Sequence, residues 1–141
     1  MEFSFDIVGG DFARAGMASS EVKKILKQLN LPPDQIKRIA VGMYEAEVNI
    51  VAHAFKGTMN VTIDAGSILL VFEDEGPGIE NIEKAMEEGF STASDEVRQM
   101  GFGAGMGLPN IKRNVDELKI SSESGKGTRL ELKIYIKENN G

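Results

Sequence analysis

The chain lacks several residue types and patterns, and each absence excludes a class of function. None of its 141 residues is cysteine, so disulfide bonds, thiolate metal sites and cysteine nucleophiles are excluded. The longest apolar run, 68–72, is far too short to span a bilayer. The first residues are acidic and contain no apolar core segment, so we expect no signal peptide and no membrane association. These features predict a cytosolic protein.

Positive charge is also scarce. The sequence has 16 lysine and arginine residues against 22 aspartate and glutamate residues, for a net charge of −6 at pH 7. A nucleic-acid-binding surface needs the opposite balance, so we expect no nucleic-acid partner. An acidic protein that binds a polyphosphate needs a cation to screen the repulsion, which makes Mg²⁺ an expected companion of any such ligand. The length predicts one domain over 1–141.

Hydrophobic periodicity predicts the order of the secondary-structure elements. Phe3, Phe5 and Ile7 alternate with polar residues, which is typical of a half-buried strand. Helical spacing follows over 12–29 and 34–55. The later elements are predicted as strands 59–64 and 68–74, a short helix 81–88, a loop 90–100, a helix 108–117, and strands 119–123 and 128–137. This order predicts a two-layer α/β sandwich, with one mixed sheet and its helices on one face.

Glu45 and Asn49 form a pair on the second predicted helix. They lie four positions apart, so they project from the same side, one turn from each other. The amide oxygen of Asn49 is a hard neutral ligand suited to Mg²⁺, and Glu45 can orient a metal-bound water or take a proton from an attacking hydroxyl. A polar stripe on an amphipathic helix is the plainer alternative. His53, one turn further, is interpreted as a packed or capping residue.

Two segments with closely spaced glycines follow, 74–78 and 101–107, and both allow a ligand to approach the backbone closely. Asp74 ends an apolar strand, and its carboxylate can accept a hydrogen bond from the exocyclic amine of adenine; a plain tight turn would show the same pattern. The second segment leads directly into a helix, whose backbone amides and dipole favour a phosphate. Its alternating glycines are Gly101, Gly103, Gly105 and Gly107. Thr128, in the turn before the last strand, is either a hairpin residue or a further hydroxyl at the site.

These pieces, in this order, resemble the GHKL ATPase superfamily, which includes gyrase and the histidine kinases. The matching motifs are Glu45-x-x-x-Asn49, Asp74-x-Gly76-x-Gly78, Gly103-x-Gly105-x-Gly107 and Gly127-Thr128. Within the superfamily the chain is most similar to the small stand-alone serine kinases of bacterial anti-sigma and stress-switch systems, the RsbW, SpoIIAB and RsbT group. The similar stretches are 73–92 and 105–113, with 11–14 closer to the anti-sigma branch.

The resemblance implies a Bergerat-type fold that binds ATP and Mg²⁺ between the asparagine-box helix and a glycine-rich lid. Asp74 would read adenine, Asn49 would hold Mg²⁺, and Glu45 would be the general base. The other nucleotide-binding residues that it implies are Gly76, Gly78, Gly103, Gly105, Gly107, Leu108 and Thr128. Arg14 and Arg98 are candidates for partner contact, with an exposed, solvated arginine as the equal alternative.

The function that this resemblance implies is a serine/threonine protein kinase. Its substrate would be a small antagonist protein of the anti-anti-sigma (STAS) type, and it would also bind a sigma factor or a phosphatase of the PP2C type, as a possible homodimer. Two alternatives stay open: an ATP-gated binding module without phosphotransfer, and a detached sensor histidine kinase catalytic domain. We also expect 90–105 to be disordered without nucleotide and ordered with it.

Overall fold

The computed structural model describes residues 1–79, 81–87 and 107–137. The elements are β1 (Glu2–Val8), a 3-10 turn (Phe12–Arg14), α1 (Met17–Gln28), α2 (Pro33–His53), β2 (Lys56–Ile63), β3 (Ser67–Glu75), α3 (Ile82–Ala85), α4 (Gly107–Asn114), β4 (Glu117–Glu123) and β5 (Gly127–Tyr135). Their kind and order confirm the periodicity analysis over these ranges, except that a 3-10 turn replaces the first part of the helix predicted over 12–29. The predicted loop 90–100 lies outside the described ranges. No helix within the described ranges is long and apolar enough to cross a membrane.

Gly16 interrupts the helix that was predicted over 12–29. Its φ of +92° is left-handed, so the 3-10 turn ends before it and α1 begins after it. Because glycine has no capping side chain, the cap comes from α2: the Glu47 carboxylate accepts hydrogen bonds from Gly16 N (2.8 Å), Ser19 N (2.9 Å) and Ser19 Oγ (2.7 Å). Glu47 is only 2% exposed. A buried carboxylate of α2 therefore holds the N-terminus of α1.

Within the described ranges, five strands form one sheet in the order β1-β2-β3-β5-β4. Every neighbouring pair is antiparallel. The α/β sandwich is confirmed, but the expectation of a mixed sheet is wrong. The paired helices α1 and α2 return the chain to the end of the sheet that it left, with Val8 opposite Lys56. β3 and β4 run in the same direction, since each is antiparallel to β5, but they do not pair with each other because β5 lies between them.

The core lies between the helices and one face of the sheet. Alternate residues of the three central strands are buried there, namely Met59, Val61, Ile63, Ile68, Leu70, Phe72, Leu130, Leu132 and Ile134. Positions between them, such as Asn60, Glu73 and Arg129, are exposed on the opposite face. α2 is the central helix, since it contacts α1, α4 and four of the five strands. Because α2 buries only one side in this core, its adjacent side, beside α4, can carry polar residues.

Candidate active site

The structure places Glu45 and Asn49 one turn apart on the part of α2 that meets α4. Gly107, at the start of α4, lies so close to Asn49 that a Cβ there would be 2.9 Å from Asn49 Oδ1. One turn later, Asn110 donates its Nδ2 to Glu45 Oε1 at 3.2 Å. The last glycine of the second glycine-rich segment therefore lies against the predicted metal ligand, and the first turn of α4 contacts the predicted base.

Asp74 lies near the end of β3 and is hydrogen-bonded to β5. Thr128 N donates to Asp74 Oδ1 at 3.1 Å. Burial of the Asp74 carboxyl raises its pKa, and the Thr128 N–H acts in the opposite direction with a smaller effect. No hydrogen bond reaches the second oxygen of Asp74 from the part of the chain that the structure describes. One carboxylate oxygen is thus held in place while the other remains available to a donor.

Two glycines bring the end of α2 against the strand that carries Asp74. Gly57 of β2 is the partner of Asp74 in the sheet, and a Cβ at Gly57 would lie 2.9 Å from Cδ1 of Ile50. A Cβ at Gly76 would lie 2.9 Å from Cα of Ala54. Because neither glycine carries a side chain, α2 packs directly over this end of the sheet. Asp74 and the Glu45–Asn49 pair therefore belong to the same end of the sandwich.

Ser122 of β4 connects the two turns beside Asp74, and the motif analysis did not identify it. Its Oγ accepts a hydrogen bond from Ile79 N (2.7 Å), donates to Gly127 O (3.0 Å) and lies 2.9 Å from Thr128 Oγ1. Since a hydroxyl has one proton, Thr128 is the donor in the last contact. Ser122 faces Thr128 across the β4–β5 hairpin, so the register of that hairpin is the signal that could have found it.

The remaining predicted residues take varied positions. His53 is partly buried, and its burial lowers the pKa of the imidazole, in keeping with a packed residue. Leu108 is 8% exposed and belongs to the hydrophobic core. The Arg14 side chain is 77% exposed and lies 3.8 Å from Asp11, an exposed position that leaves its predicted partner role as a prediction. The predictions for Gly103, Gly105 and Arg98, and the predicted ordering of 90–105, concern residues outside the described ranges.

Gly127→Ala is expected to disrupt the Asp74 end of the site. Gly127 has a φ of +155°, and a Cβ there would lie 2.0 Å from the Asp74 carbonyl oxygen, so the start of β5 must move away from β3. We expect the free energy of unfolding, measured by urea denaturation, to fall by about 2 kcal/mol.

Gly66→Ala is the matched control, because a Cβ at Gly66 has no heavy atom within 4 Å. Its free energy of unfolding should change by less than about 0.5 kcal/mol. Equal losses at the two glycines would contradict the close packing of Gly127 on Asp74.

Sequence comparison relates the chain to a family of nucleotide-using domains. The histidine kinase-like ATPase domain family matches residues 11–134. The serine/threonine-protein kinase RsbT of Bacillus subtilis (strain 168) is 34% identical over 119 residues, which are 82% of this chain and 84% of that protein. An anti-sigma F factor of Caldanaerobacter subterraneus subsp. tengcongensis is 35% identical over 127 residues, which are 86% of this chain and 85% of that protein.

Two solved structures share the fold. The RsbU and RsbW domains of a protein from Mycobacterium tuberculosis match 96% of this chain and 32% of that chain, with a TM-score of 0.66 and 13% identity. The SiaB–SiaC complex from Pseudomonas aeruginosa contains a chain that matches 94% of this chain and is itself covered over 88%, with a TM-score of 0.65 and 14% identity. At these identities the likeness establishes the two-layer α/β architecture.

Proposed function

The chain belongs to the histidine kinase-like ATPase domain family, and on that basis we propose that it is an ATP-dependent serine/threonine protein kinase of a partner-switching system. The observation that carries the proposal is the contact of α4 with both Asn49 and Glu45. It brings Gly107, the end of the glycine-rich segment, close to the residues proposed as metal ligand and base. The name of the RsbT relative, a serine/threonine-protein kinase, supports the same function.

The residues present fit ATP and Mg²⁺. The side chain of Asn49 has no hydrogen bond to the described parts of the chain, so its Oδ1 is available to a cation. A side chain at position 107 would crowd this oxygen, since a Cβ there would lie 2.9 Å from it. The second oxygen of Asp74 is the acceptor for the exocyclic amine of adenine. Bound ATP with Mg²⁺ supplies the phosphoryl group that is transferred.

Glu45 is the proposed general base. One of its oxygens is held by Asn110, and the carboxylate can take the proton of a serine or threonine hydroxyl on a partner protein. The proposed partner is a small antagonist of the anti-anti-sigma type. A sigma factor or a phosphatase is the proposed second partner, and the cytoplasm is the proposed location.

An ATP-gated binding module is the second candidate, and the anti-sigma F names of several relatives favour it. Such a module would bind its partner only when nucleotide is bound, and it would transfer no phosphate. It would need Asn49 and Asp74 but would have no use for the carboxylate of Glu45. The Glu45 variant described in the Discussion separates the two functions.

Calorimetric titration with ATP, with and without Mg²⁺, tests the proposal. We expect Mg²⁺ to tighten ATP binding to the unaltered chain. Asn49→Ala removes the amide oxygen, so it should weaken Mg²⁺-dependent binding by about 10-fold or more.

Asn60→Ala is the matched control, since Asn60 is exposed on the opposite face of the sheet, and its ATP affinity should equal that of the unaltered chain. Absence of ATP binding to the unaltered chain would overturn both candidate functions. Binding that does not depend on Mg²⁺ would remove the metal role of Asn49.

A further inference from the structure

Asn110 is the residue of α4 that contacts the proposed base. Its Nδ2 lies 3.2 Å from Glu45 Oε1, in a partly buried contact. We propose that Asn110 is a positioning residue for phosphotransfer, which aims the Glu45 carboxylate at the hydroxyl whose proton it takes. This inference rests on the proposed function of Glu45.

The orientation of the Asn110 amide is fixed from its other side. Arg113, one turn further along α4, donates a guanidinium N–H to Asn110 Oδ1. A guanidinium only donates hydrogen bonds, so the amide oxygen must face Arg113 and the amide NH₂ must face Glu45. The contact with Glu45 is therefore a donor–acceptor pair whose direction is set by Arg113.

The backbone that carries Asn110 is held against α2. Leu108, Ile111 and Val115 are 8%, 0% and 7% exposed, and α2 and α4 are in extensive contact. Leu108 and Ile111 on α4, with Val115 directly after it, fix the rotation of the helix, so that Asn110 stays on the side that meets Glu45. A polar side chain on such a rigid support can hold its partner with the precision that proton transfer requires.

The same helix also begins at the glycine-rich segment. Gly107 lies against Asn49, and Asn110 follows one turn later against Glu45. A single turn of α4 thus carries both Gly107, which ends the segment proposed to hold the phosphates, and Asn110, which contacts the proposed base. The amide is neutral, so it orients Glu45 without adding charge beside the nucleotide.

Single-turnover release of phosphate from Mg·ATP, with water as the acceptor, measures the effect. Asn110→Ala should lower the rate of the chemical step by between about 10- and 100-fold, because the base is no longer aimed. The dissociation constant of Mg·ATP from calorimetry should stay within about 2-fold, since Asn110 acts through Glu45.

Asn110→Asp keeps the size of the side chain but cannot donate a hydrogen bond when ionised, so it should slow the chemical step as well. It replaces the alanine variant in the test if that variant does not fold. Lys112→Ala, at an exposed position of the same helix, is the control and should match the unaltered chain.

A double-mutant cycle with Glu45→Gln distinguishes positioning from a merely structural role. If Asn110 acts through Glu45, Asn110→Ala should cause no further slowing once the base is gone. If the rate losses of the two single variants multiply in the double variant, the two residues act independently and the inference is overturned. It is also overturned if Glu45→Gln slows phosphate release but Asn110→Ala does not. If the unaltered chain releases no phosphate, or Glu45→Gln releases it at the normal rate, the proposed role of Glu45 fails first and the inference falls with it.

Discussion

Asp74→Asn is expected to remove most of the affinity for ATP while leaving the fold at least as stable as before. The oxygen of asparagine can still accept the hydrogen bond from Thr128 N, which Asp74 Oδ1 accepts in the unaltered chain. The NH₂ group of asparagine then takes the place of the second carboxylate oxygen. Two hydrogen-bond donors, this NH₂ group and the exocyclic amine of adenine, would face each other. An unsatisfied donor in a buried contact costs up to about 3 kcal/mol, which corresponds to a loss of roughly 100-fold in affinity.

The stability half of this prediction follows from the raised pKa of Asp74. Burial is the main cause of that rise, so the folded state binds the Asp74 proton more tightly than the unfolded state does. In acid, the Asp74 carboxyl is protonated in both states and does not oppose folding. Above its folded pKa the carboxylate is charged and partly buried, so the free energy of unfolding is lower there. A neutral asparagine does not have this burial cost of a charge near neutral pH. The free energy of unfolding of Asp74→Asn should therefore fall less with rising pH between about pH 4 and the raised folded pKa of Asp74.

Calorimetry with ATP and urea denaturation at several pH values check the two halves separately. In the unaltered chain, ATP binding should weaken as the pH falls through the raised pKa, since a protonated carboxyl loses an acceptor. Asp6→Asn is the control, because Asp6 is exposed on β1 and should change neither property. Normal ATP affinity in Asp74→Asn would show that the carboxylate does not read the base.

Glu45→Gln is expected to slow phosphate transfer by about 100-fold or more, the usual cost of losing a general base. Glutamine keeps the oxygen that accepts the hydrogen bond from Asn110, so α4 should remain in place and ATP should bind as before. Single-turnover release of phosphate from Mg·ATP and calorimetry measure the two quantities on the same protein. Glu2→Gln, at an exposed position of β1, is the control.

The same substitution decides between the two candidate functions in the cell. A kinase that has lost its base should no longer regulate its partner, whereas an ATP-gated module should regulate it normally. Normal regulation by Glu45→Gln, together with slow transfer in vitro, would leave the ATP-gated module as the function.

Local spacing predicted how the candidate residues on a single element are placed. Glu45 and Asn49 are separated by one helical turn, and the structure keeps both on the side of α2 that meets α4. Asp74 was predicted from the apolar strand that precedes it, and β3 ends as that pattern required. In each case the periodicity of a single helix or strand fixes where the side chain points.

The residues that were missed all depend on contacts between distant segments. Asn110 meets Glu45 across 65 positions, and Glu47, which has the position of an ordinary polar helix residue, caps α1 across 31. The sheet was predicted as mixed for the same reason. A helical connection such as α4 predicts parallel strands, but nothing in the local sequence shows that β5 will lie between them.

The place of β5 in the sheet has a consequence for the synthesis of the protein. β5 is made after every other described strand, yet it lies between β3 and β4, and its Thr128 holds the carboxylate proposed to read adenine. Until β5 has been synthesised and inserted, β3 lacks its native neighbour on that side and Asp74 lacks the hydrogen bond from Thr128 N. ATP therefore meets a complete site only after β5 has been inserted, and its binding energy then favours the inserted state by mass action. In the cell, the nucleotide would act on this chain as a ligand that stabilises the last step of its folding.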